Sequence, residues 1–598
     1  MGSGKRGFIN KRTIGLSVGF ALLFAAIAGK LVFIQLCRAD QFAKWAEFIR
    51  LRRMPIPASR GSIYDRTGRP LALSIETASI YANRREIKDL ALTARQVAST
   101  IGGDPKTYRQ KIEQSKTIAW LVKNVDPRLG DPINRGYRVV EHGKVRFVRI
   151  DGVGVQRDTK RVYPAGAAAA HILGFTNFYG TGLEGAEFVM QDVLRGRDGV
   201  LLAELDARRR IIAETKKIIR EPRSGRDVYL TIDLTIQHIA EQALARVAHT
   251  YHPQSACAIV LGANGDVLAL ANYPTFDPNN ALEVPASKWR NRAVADLYEP
   301  GSTLKAVTVA AGLNEGISPN AIMARCTGHE RLKGGGLPCS LHHPFEAGHG
   351  CVNMPKIIRH SCNIGAAHIA MRLGPEKLRG YEKAFGLLDR TEAGFGCEAV
   401  GRLAPADRWP LIQLADIGFG QGIAVTPLQM ACVYATVANG GVYVQPRVVR
   451  EVRNPDGGVC RPLRLTPPRR VVSKQAASLL TRMLVRCVEE GTGKNARIKG
   501  RTIAGKTGSA QIPNPNGRGY LSGAFVASFM GFAPANKPRL VIAVVVNRPQ
   551  GSHYGATVAA PVFREIAEKA LWYYKVPSDA PAKPDIRRNQ DADRKRLV

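Results

Sequence analysis

The order of elements predicts an α+β protein: an antiparallel sheet with helices on both faces plus a helical subdomain, preceded by a single transmembrane helix. Three observations carry this. Strand-like runs occur early, at Ala256–Leu261 and Val267–Ala271, and again late, at Phe525–Phe532 and Leu540–Val546. Residues 312–500 between them read as mostly helical with long loops, and that order of strands and helices suits two helical layers around one sheet. Thr13–Leu36 is nearly all apolar, which is enough to cross a bilayer as a helix.

Taken in order, residues 1–12 form a short basic head with Lys5, Arg6, Lys11 and Arg12. In the apolar span of 13–36, Lys30 lies near one end, where its stem can snorkel to the interface. Ala26-Ile27-Ala28 has the look of a signal-peptidase site, but apolar sequence resumes at Leu31–Leu36 and completes a span. Residues 37–225 open with an extended Pro55-Ile56-Pro57 and hold strand-like runs such as Leu71–Tyr81. From 226, Val228–Ile232 reads as a strand and Leu234–Val247 as an amphipathic helix. Asn264-Gly265 between two alternating runs is a strong hairpin signal. Pro561 stands at a helix start, and that helix runs to about Tyr574, closing a domain of 226–575. The Pro-, Asp- and Arg-rich tail, 576–598, is expected to be disordered.

The 598 residues carry 45% apolar side chains and a formal net charge of +37. Apolar content of this order is globular. So basic a chain suits anionic lipid, an anionic cell-wall polymer or nucleic acid, and no RNA- or DNA-binding motif supports the last. Ten cysteines in a chain this long are not a small disulfide scaffold.

The chemistry gathers around Glu299-Pro300-Gly301-Ser302-Thr303-Leu304-Lys305. Pro300-Gly301 is a turn, and the apolar run behind it reads as a buried helix. If that helix starts at Ser302, Lys305 lies one turn on, on the same face. A lysine kept partly neutral by burial and neighbouring positive charge can take the serine's proton. Two further matches follow in order, Ser361-Cys362-Asn363 and Lys506-Thr507-Gly508. Ser361 can relay a proton between Lys305 and a leaving group, and Asn363 can hydrogen-bond an amide. Lys506-Thr507-Gly508-Ser509 starts a strand that can pair with an extended peptide, with Lys506 and Thr507 holding a carboxylate. The backbone N–H groups of Ser302 and Ser509 would make an oxyanion hole. Singly, Ser361 reads as a helix cap and Lys506-Thr507-Gly508 as a solvated turn; three such matches in order do not.

With this trio the chain resembles the class B penicillin-binding proteins, most closely the division-specific type. The resemblance covers almost the whole chain. It includes Arg60-Gly61-Ser62-Ile63-Tyr64-Asp65-Arg66, Gly182 to Glu187, Arg290-Asn291-Arg292, Gly420-Gln421-Gly422, Val425 to Gln429 and Asn439-Gly440-Gly441. It implies an elongated non-catalytic pedestal over 37–225, a penicillin-recognising serine transpeptidase domain over 226–575, and a catalytic part outside the cytoplasm. It further implies D-Ala-D-Ala stem peptides as substrate, β-lactams as inhibitors, and an integral-membrane polymerase and other division proteins as partners, with no cofactor for catalysis. Arg60, Asp65 and Arg66 read as internal salt-bridging of the pedestal. An elongation enzyme, a catalytically dead scaffold, a β-lactamase and a β-lactam sensor are the rival readings.

Cys326, Cys339, His342, His343, His349, Cys351 and Cys362 crowd the interval between the first two motifs. Thiolate and imidazole are zinc's preferred ligands, and four of them close a structural site. The loop from Gly328 to Gly350 is glycine-rich with little apolar content, so it needs a staple. The preferred set is Cys326, Cys339, His349 and Cys362, with Cys351 or His343 as substitutes. The spacing matches no common zinc finger, and disulfides (Cys326 to Cys339 among them) or free thiols compete with a metal.

Overall fold

The structure is a computed structural model that describes residues 4–141, 144–206, 212–339, 348–460, 466–517 and 519–580. It divides into two compact units, 1–59 with 196–224, and 60–195 with 225–598.

The first unit begins with a helix, Gly4–Val32, which widens into a π-helical turn at Phe33–Cys37. Lys11–Cys37 is long and apolar enough to cross a membrane, and none of it is buried in protein. A second helix, Ala39–Arg50, leads into the strand Leu51–Ile56. That strand pairs antiparallel with Gly199–Glu204, which in turn pairs with Lys217–Arg220.

In the second unit, the long strand Pro70–Asn83 is the spine of a six-stranded sheet. It pairs antiparallel with Ile63–Tyr64, Ile118–Val125 and Val153–Val162. The first strand after 226 is Asp227–Leu230, and it extends this sheet: it lies parallel to Ile63–Tyr64 and antiparallel to Val449–Arg453. Pairing across more than 150 residues leaves no local trace in sequence. Arg60 does form the expected internal ion pair, with Glu187 at 2.6 Å, and Arg161 binds the other carboxylate oxygen at 2.6 Å. Asp65 and Arg66 serve differently. Asp65 accepts from the N–H groups of Thr67 and Arg69 and closes a turn. Arg66 donates to the Tyr574 hydroxyl.

After this sheet come helix α1 (Leu234–Tyr251), capped by the Asp233 carboxylate, and the hairpin β1 (Ser255–Gly262) and β2 (Val267–Tyr273). Helix α2 (Lys305–Asn314) follows. Four short strands come next: β3 (Ala324–Cys326), β4 (His329–Leu332), β5 (Gly335–Pro338) and β6 (Gly350–Val352). Then come helices α3 (Met354–His360), α4 (Asn363–Leu373), α5 (Pro427–Ala438) and α6 (Lys474–Glu490). The late strands β7 (Ala504–Pro513), β8 (Tyr520–Ala533) and β9 (Leu540–Asn547) precede the last helix, α7 (Ala560–Tyr573). The sheet order is β2-β1-β9-β8-β7, antiparallel throughout.

Both faces of this sheet are dry, and the strand period shows why. Ala256, Ala258 and Val260 of β1, with Leu540, Ile542 and Val544 of β9, join a core with α1 and α7. Their alternates, Cys257, Ile259 and Leu261 with Val541, Ala543 and Val545, join a second core with α2 and α5. Successive residues point to opposite faces, so two helical layers turn an alternating strand into a continuous apolar run. Helix α5 starts with a capping box, in which the Thr426 hydroxyl accepts from the Gln429 N–H and the Gln429 side chain accepts from the Thr426 N–H. The segment 312–500 is less uniformly helical than its sequence suggests: β3 pairs with β6, and β4 with β5. These strands of three or four residues are too short to show a period. The tail from 581 onward lies outside the described residues.

Candidate active site

Ser302 does not begin the helix. It sits in a 3₁₀ turn, Gly301–Thr303, that runs into α2 at Lys305. Tighter winding still leaves the two side chains together, with Lys305 Nζ 3.0 Å from Ser302 Oγ. The turn is clamped from two sides. The Gly301 N–H donates to the Gly420 carbonyl, and a Cβ on Gly420 would lie 2.1 Å from the Gly301 oxygen, so only glycine fits there. The buried Tyr434 hydroxyl of α5 donates to the Thr303 carbonyl at 2.9 Å.

The second motif comes from a break between two helices. Helix α3 ends at His360, Ser361 adopts a left-handed conformation with φ of 62°, and α4 starts at Asn363. Cys362 is the N-cap of α4, its Sγ accepting from the Gly365 N–H at 3.4 Å. The Ser361 carbonyl and hydroxyl and the Asn363 side chain then face Lys305. Its Nζ donates to Ser361 O at 2.6 Å, Asn363 Oδ1 at 2.7 Å and Ser361 Oγ at 3.2 Å. With Ser302 that makes four acceptors for three ammonium protons, so one contact is always free to reverse. A hydroxyl both donates and accepts, and Ser302 is therefore a partner from which a neutral Lys305 can draw a proton.

The third motif is on β7, the edge strand of the sheet. Alternate backbone groups of an edge strand point away from its one neighbour, which here is β8. Gly508 lets this strand approach the Ser302 turn: a Cβ there would meet Ser528 Oγ at 2.4 Å and Thr303 Cγ2 at 3.0 Å. Lys506 Nζ donates to Ser361 Oγ at 3.0 Å, so the Ser361 hydroxyl bridges two lysines. Thr507 Oγ1 lies 2.9 Å from Thr492 Oγ1, and Ser509 Oγ accepts from the Gly555 N–H at 3.0 Å. Ser302, Lys305, Ser361, Asn363, Lys506 and Thr507 thus meet at one place, with Gly508 and Ser509 continuing along the strand.

Both lysines are fully buried. Burial pushes Lys305 well below the usual lysine range, and the Lys506 charge pushes it the same way. Burial also lowers Lys506. Glu299, just before the Ser302 turn, is raised to about 7 by burial; it accepts from the Gly422 N–H and the Tyr520 hydroxyl. Sequence reading did not single out Glu299, Tyr434 or Tyr520 as supports of the site. The signal for Glu299 was its place beside Pro300-Gly301; the other two are brought in only by tertiary packing.

On the far side of Cys362, the ligand atoms of Cys326, Cys339, His349 and Cys362 lie within 4.8 Å of one another. This is the preferred set of the sequence reading. Cys351 is exposed on β6 and outside the set, and His343 lies outside the described residues. All three cluster cysteines are free thiols, so the expected alternative of a Cys326–Cys339 bridge is not present in this structure.

The chain matches the family model of the penicillin-binding protein transpeptidase domain over residues 256–568. It matches that of the penicillin-binding protein dimerisation domain over 55–230. Stage V sporulation protein D of Bacillus subtilis is 30% identical over 570 residues, covering 94% of this chain and 86% of that protein. Peptidoglycan D,D-transpeptidase FtsI of Escherichia coli K12 is 30% identical over 588 residues, covering 96% and 93%. The crystal structure of penicillin-binding protein 3 from Mycobacterium tuberculosis with aztreonam superposes with a TM-score of 0.67 at 28% identity, covering 88% of this chain and 99% of that one. Ser302 lies against the buried Lys305, and the Ser361 hydroxyl joins Lys305 to Lys506 on the edge strand; with both domains present in this order, the chain belongs to the class B penicillin-binding proteins and is a transpeptidase of that family.

Proposed function

We propose that this chain cross-links peptidoglycan stem peptides in septal wall synthesis, with Ser302 as nucleophile. The observation that carries the reading is the contact, at 3.0 Å, of Ser302 Oγ with a buried Lys305 that meets no carboxylate among the described residues. Lys305 in its neutral form takes the Ser302 proton as Oγ attacks the carbonyl between two terminal D-alanines. The C–N bond breaks, and the leaving amine receives a proton from Lys305 through the Ser361 hydroxyl. An amine of a second stem peptide then attacks the acyl-serine; its proton returns through the Ser361 hydroxyl and Lys305 to Ser302 Oγ as the acyl C–O bond breaks, which forms the cross-link and frees the serine. Lys506 and Thr507 hold the terminal carboxylate, Asn363 bonds the substrate amide, and the peptide lies along β7. The N–H groups of Ser302 and Ser509 receive the oxyanion. Nucleophile, base and relay are all side chains, so acyl transfer needs no cofactor; the Cys/His cluster is structural.

The reading takes 37–225 as pedestal and 226–575 as transpeptidase domain, with the helix over 13–36 anchoring the chain so that the catalytic part faces the periplasm. A polymerase in the membrane supplies the glycan strands. A β-lactam acylates the same serine, since its strained amide presents the same carbonyl. Fluorescent penicillin is expected to label the wild-type protein and not Ser302→Ala; equal labelling of both would place the nucleophile elsewhere. A fluorescent fusion is expected at midcell, and a sidewall pattern would favour the elongation enzyme.

A further inference from the structure

Cys326 ends β3, Cys339 follows β5, His349 precedes β6, and Cys362 caps α4. Four separate pieces of chain therefore deliver one donor atom each to one point. Cys339 Sγ is 3.8 Å from Cys362 Sγ and 3.0 Å from His349 Nδ1, and Cys326 Sγ is 3.7 Å from the same nitrogen. A tetrahedron with zinc–sulfur bonds of about 2.3 Å and zinc–nitrogen bonds of about 2.0 Å has sulfur–sulfur edges of about 3.8 Å and sulfur–nitrogen edges of about 3.5 Å. Two of the three separations match those edges; the Cys339–His349 pair is shorter by roughly 0.5 Å. We propose that Cys326, Cys339, His349 and Cys362 hold one zinc ion in a closed tetrahedral site, and that this ion fixes the Ser361–Asn363 motif from behind.

A disulfide accounts for the cluster less well. Sulfurs joined covalently stand about 2.05 Å apart, far closer than Cys339 and Cys362. Three sulfurs cannot pair off, and any bridge leaves a buried thiol beside an imidazole. The three cysteines are at most 1% exposed, while Cys351, two residues from His349, is exposed and takes no part. The local architecture also needs a staple. Sheets β3–β6 and β4–β5 have two strands of three or four residues each, and isolated pairs of that size are marginal in water.

The ion would act on the cleft through short covalent paths. The Cys339 carbonyl accepts from the Asn363 N–H at 3.0 Å, and the Pro338 carbonyl accepts from Asn363 Nδ2 at 3.3 Å. Cys362 lies between Ser361 and Asn363, whose oxygens receive the Lys305 ammonium. With a bond from Cys362 Sγ to the metal, the helix break that aims those oxygens is fixed on both sides. No substrate atom touches the ion.

The coupling rests on Ser302 being the acylated residue, and the test separates the two claims. Full-length protein extracted from membranes is expected to contain about one zinc per chain. Replacing it by cobalt(II) is expected to give the visible bands of a tetrahedral thiolate site, a readout that needs no variant to fold. Removing the metal with a chelator is expected to expose Cys326, Cys339 and Cys362 to alkylation. It is also expected to slow penicillin acylation of Ser302 by about tenfold or more, the scale of losses when partners around a metal are removed. Cys326→Ser is expected to lose both metal and acylation rate, and Cys351→Ser to keep both. Substoichiometric zinc with a Cys326–Cys339 or Cys339–Cys362 bridge in a non-reducing peptide map would overturn the metal site. Zinc bound but irrelevant to acylation rate would overturn the coupling. Normal penicillin labelling of a protein isolated without zinc sinks the zinc site and leaves Ser302 as the acylated residue, whereas labelling of Ser302→Ala would place the nucleophile elsewhere and leave the zinc count untouched.

Discussion

Among the described residues, two pairs of buried cations are treated in opposite ways. Arg60 and Arg161 converge on Glu187, one on each carboxylate oxygen, with Glu187 wholly buried. Lys305 and Lys506 converge on the Ser361 hydroxyl. Among the described residues their acceptors are hydroxyl, carbonyl and amide oxygens, and none is a carboxylate. A guanidinium keeps its proton at every accessible pH, so a counter-ion makes the first pair a fixed joint. An ammonium denied a counter-ion and desolvated gives its proton up readily. The first pair holds structure; the second has its charge left soft, which is what acid–base work requires.

The comparison can be broken at either end. With Ser302 as the proposed acylated residue, the largest effect is expected from Ser302→Ala: covalent penicillin labelling falls to background while the melting temperature stays near wild type. Next comes Lys305→Ala, expected to slow acylation by about 10²–10⁴-fold in stopped-flow or gel-based rates. A loss under about tenfold would mean that some other group takes the proton. Acylation by wild type should rise with pH along a limb set by Lys305, and that limb should lie below the ordinary lysine range near about 10.4.

Stability should respond the other way round. Arg60→Ala leaves the buried Glu187 Oε2 without its ion-pair partner, and losing one member of a buried pair costs about 3–5 kcal/mol. The loss should appear as a lower denaturation midpoint. Lys305→Met should cost far less, because no carboxylate is orphaned. Its pH signature is distinctive. Lys305 has a lowered pKa in the folded state, so between the folded and unfolded values the unfolded chain binds more protons and wild-type stability rises with pH. The methionine variant should lose that rise; an unchanged slope would mean that Lys305 is not the titrating group. The smallest expected effect is Thr426→Ala, which removes one half of the α5 capping box for about 1 kcal/mol, read as a modest drop in melting temperature with acylation retained.

The sequence displayed whatever is local. The hairpin at Asn264-Gly265, the late strands and the last helix each announce themselves by period and punctuation, and all are present. The three motifs were legible as residue types, because Ser302, Lys305, Ser361 and Lys506 must carry the functional groups whatever the fold around them. Cys326, Cys339, His349 and Cys362 are legible as residue types too, and the structure brings their side-chain donor atoms together. What was hidden depends on distance along the chain. The Asp227–Leu230 strand finds partners at 63–64 and 449–453, the Tyr434 hydroxyl reaches Thr303, and Tyr520 reaches Glu299. Strands as short as β3 to β6 hold too few residues for a pattern. The start of α2 was placed at Ser302 because turn chemistry marks a boundary only to within a residue or two, and a 3₁₀ turn occupies the difference.

The left-handed backbone at Ser361 has a consequence for how such a site could be redesigned. In an unbroken helix through 354–373 the carbonyl of Ser361 would be spent on the N–H four residues later. The break liberates that carbonyl, and Lys305 collects it at 2.6 Å. A non-glycine residue held left-handed carries strain of about 1–2 kcal/mol, so folding energy elsewhere sustains an oxygen in a place no regular element would put it. Substitutions that make this segment a better helix would therefore stabilise the chain and disarm it in the same stroke.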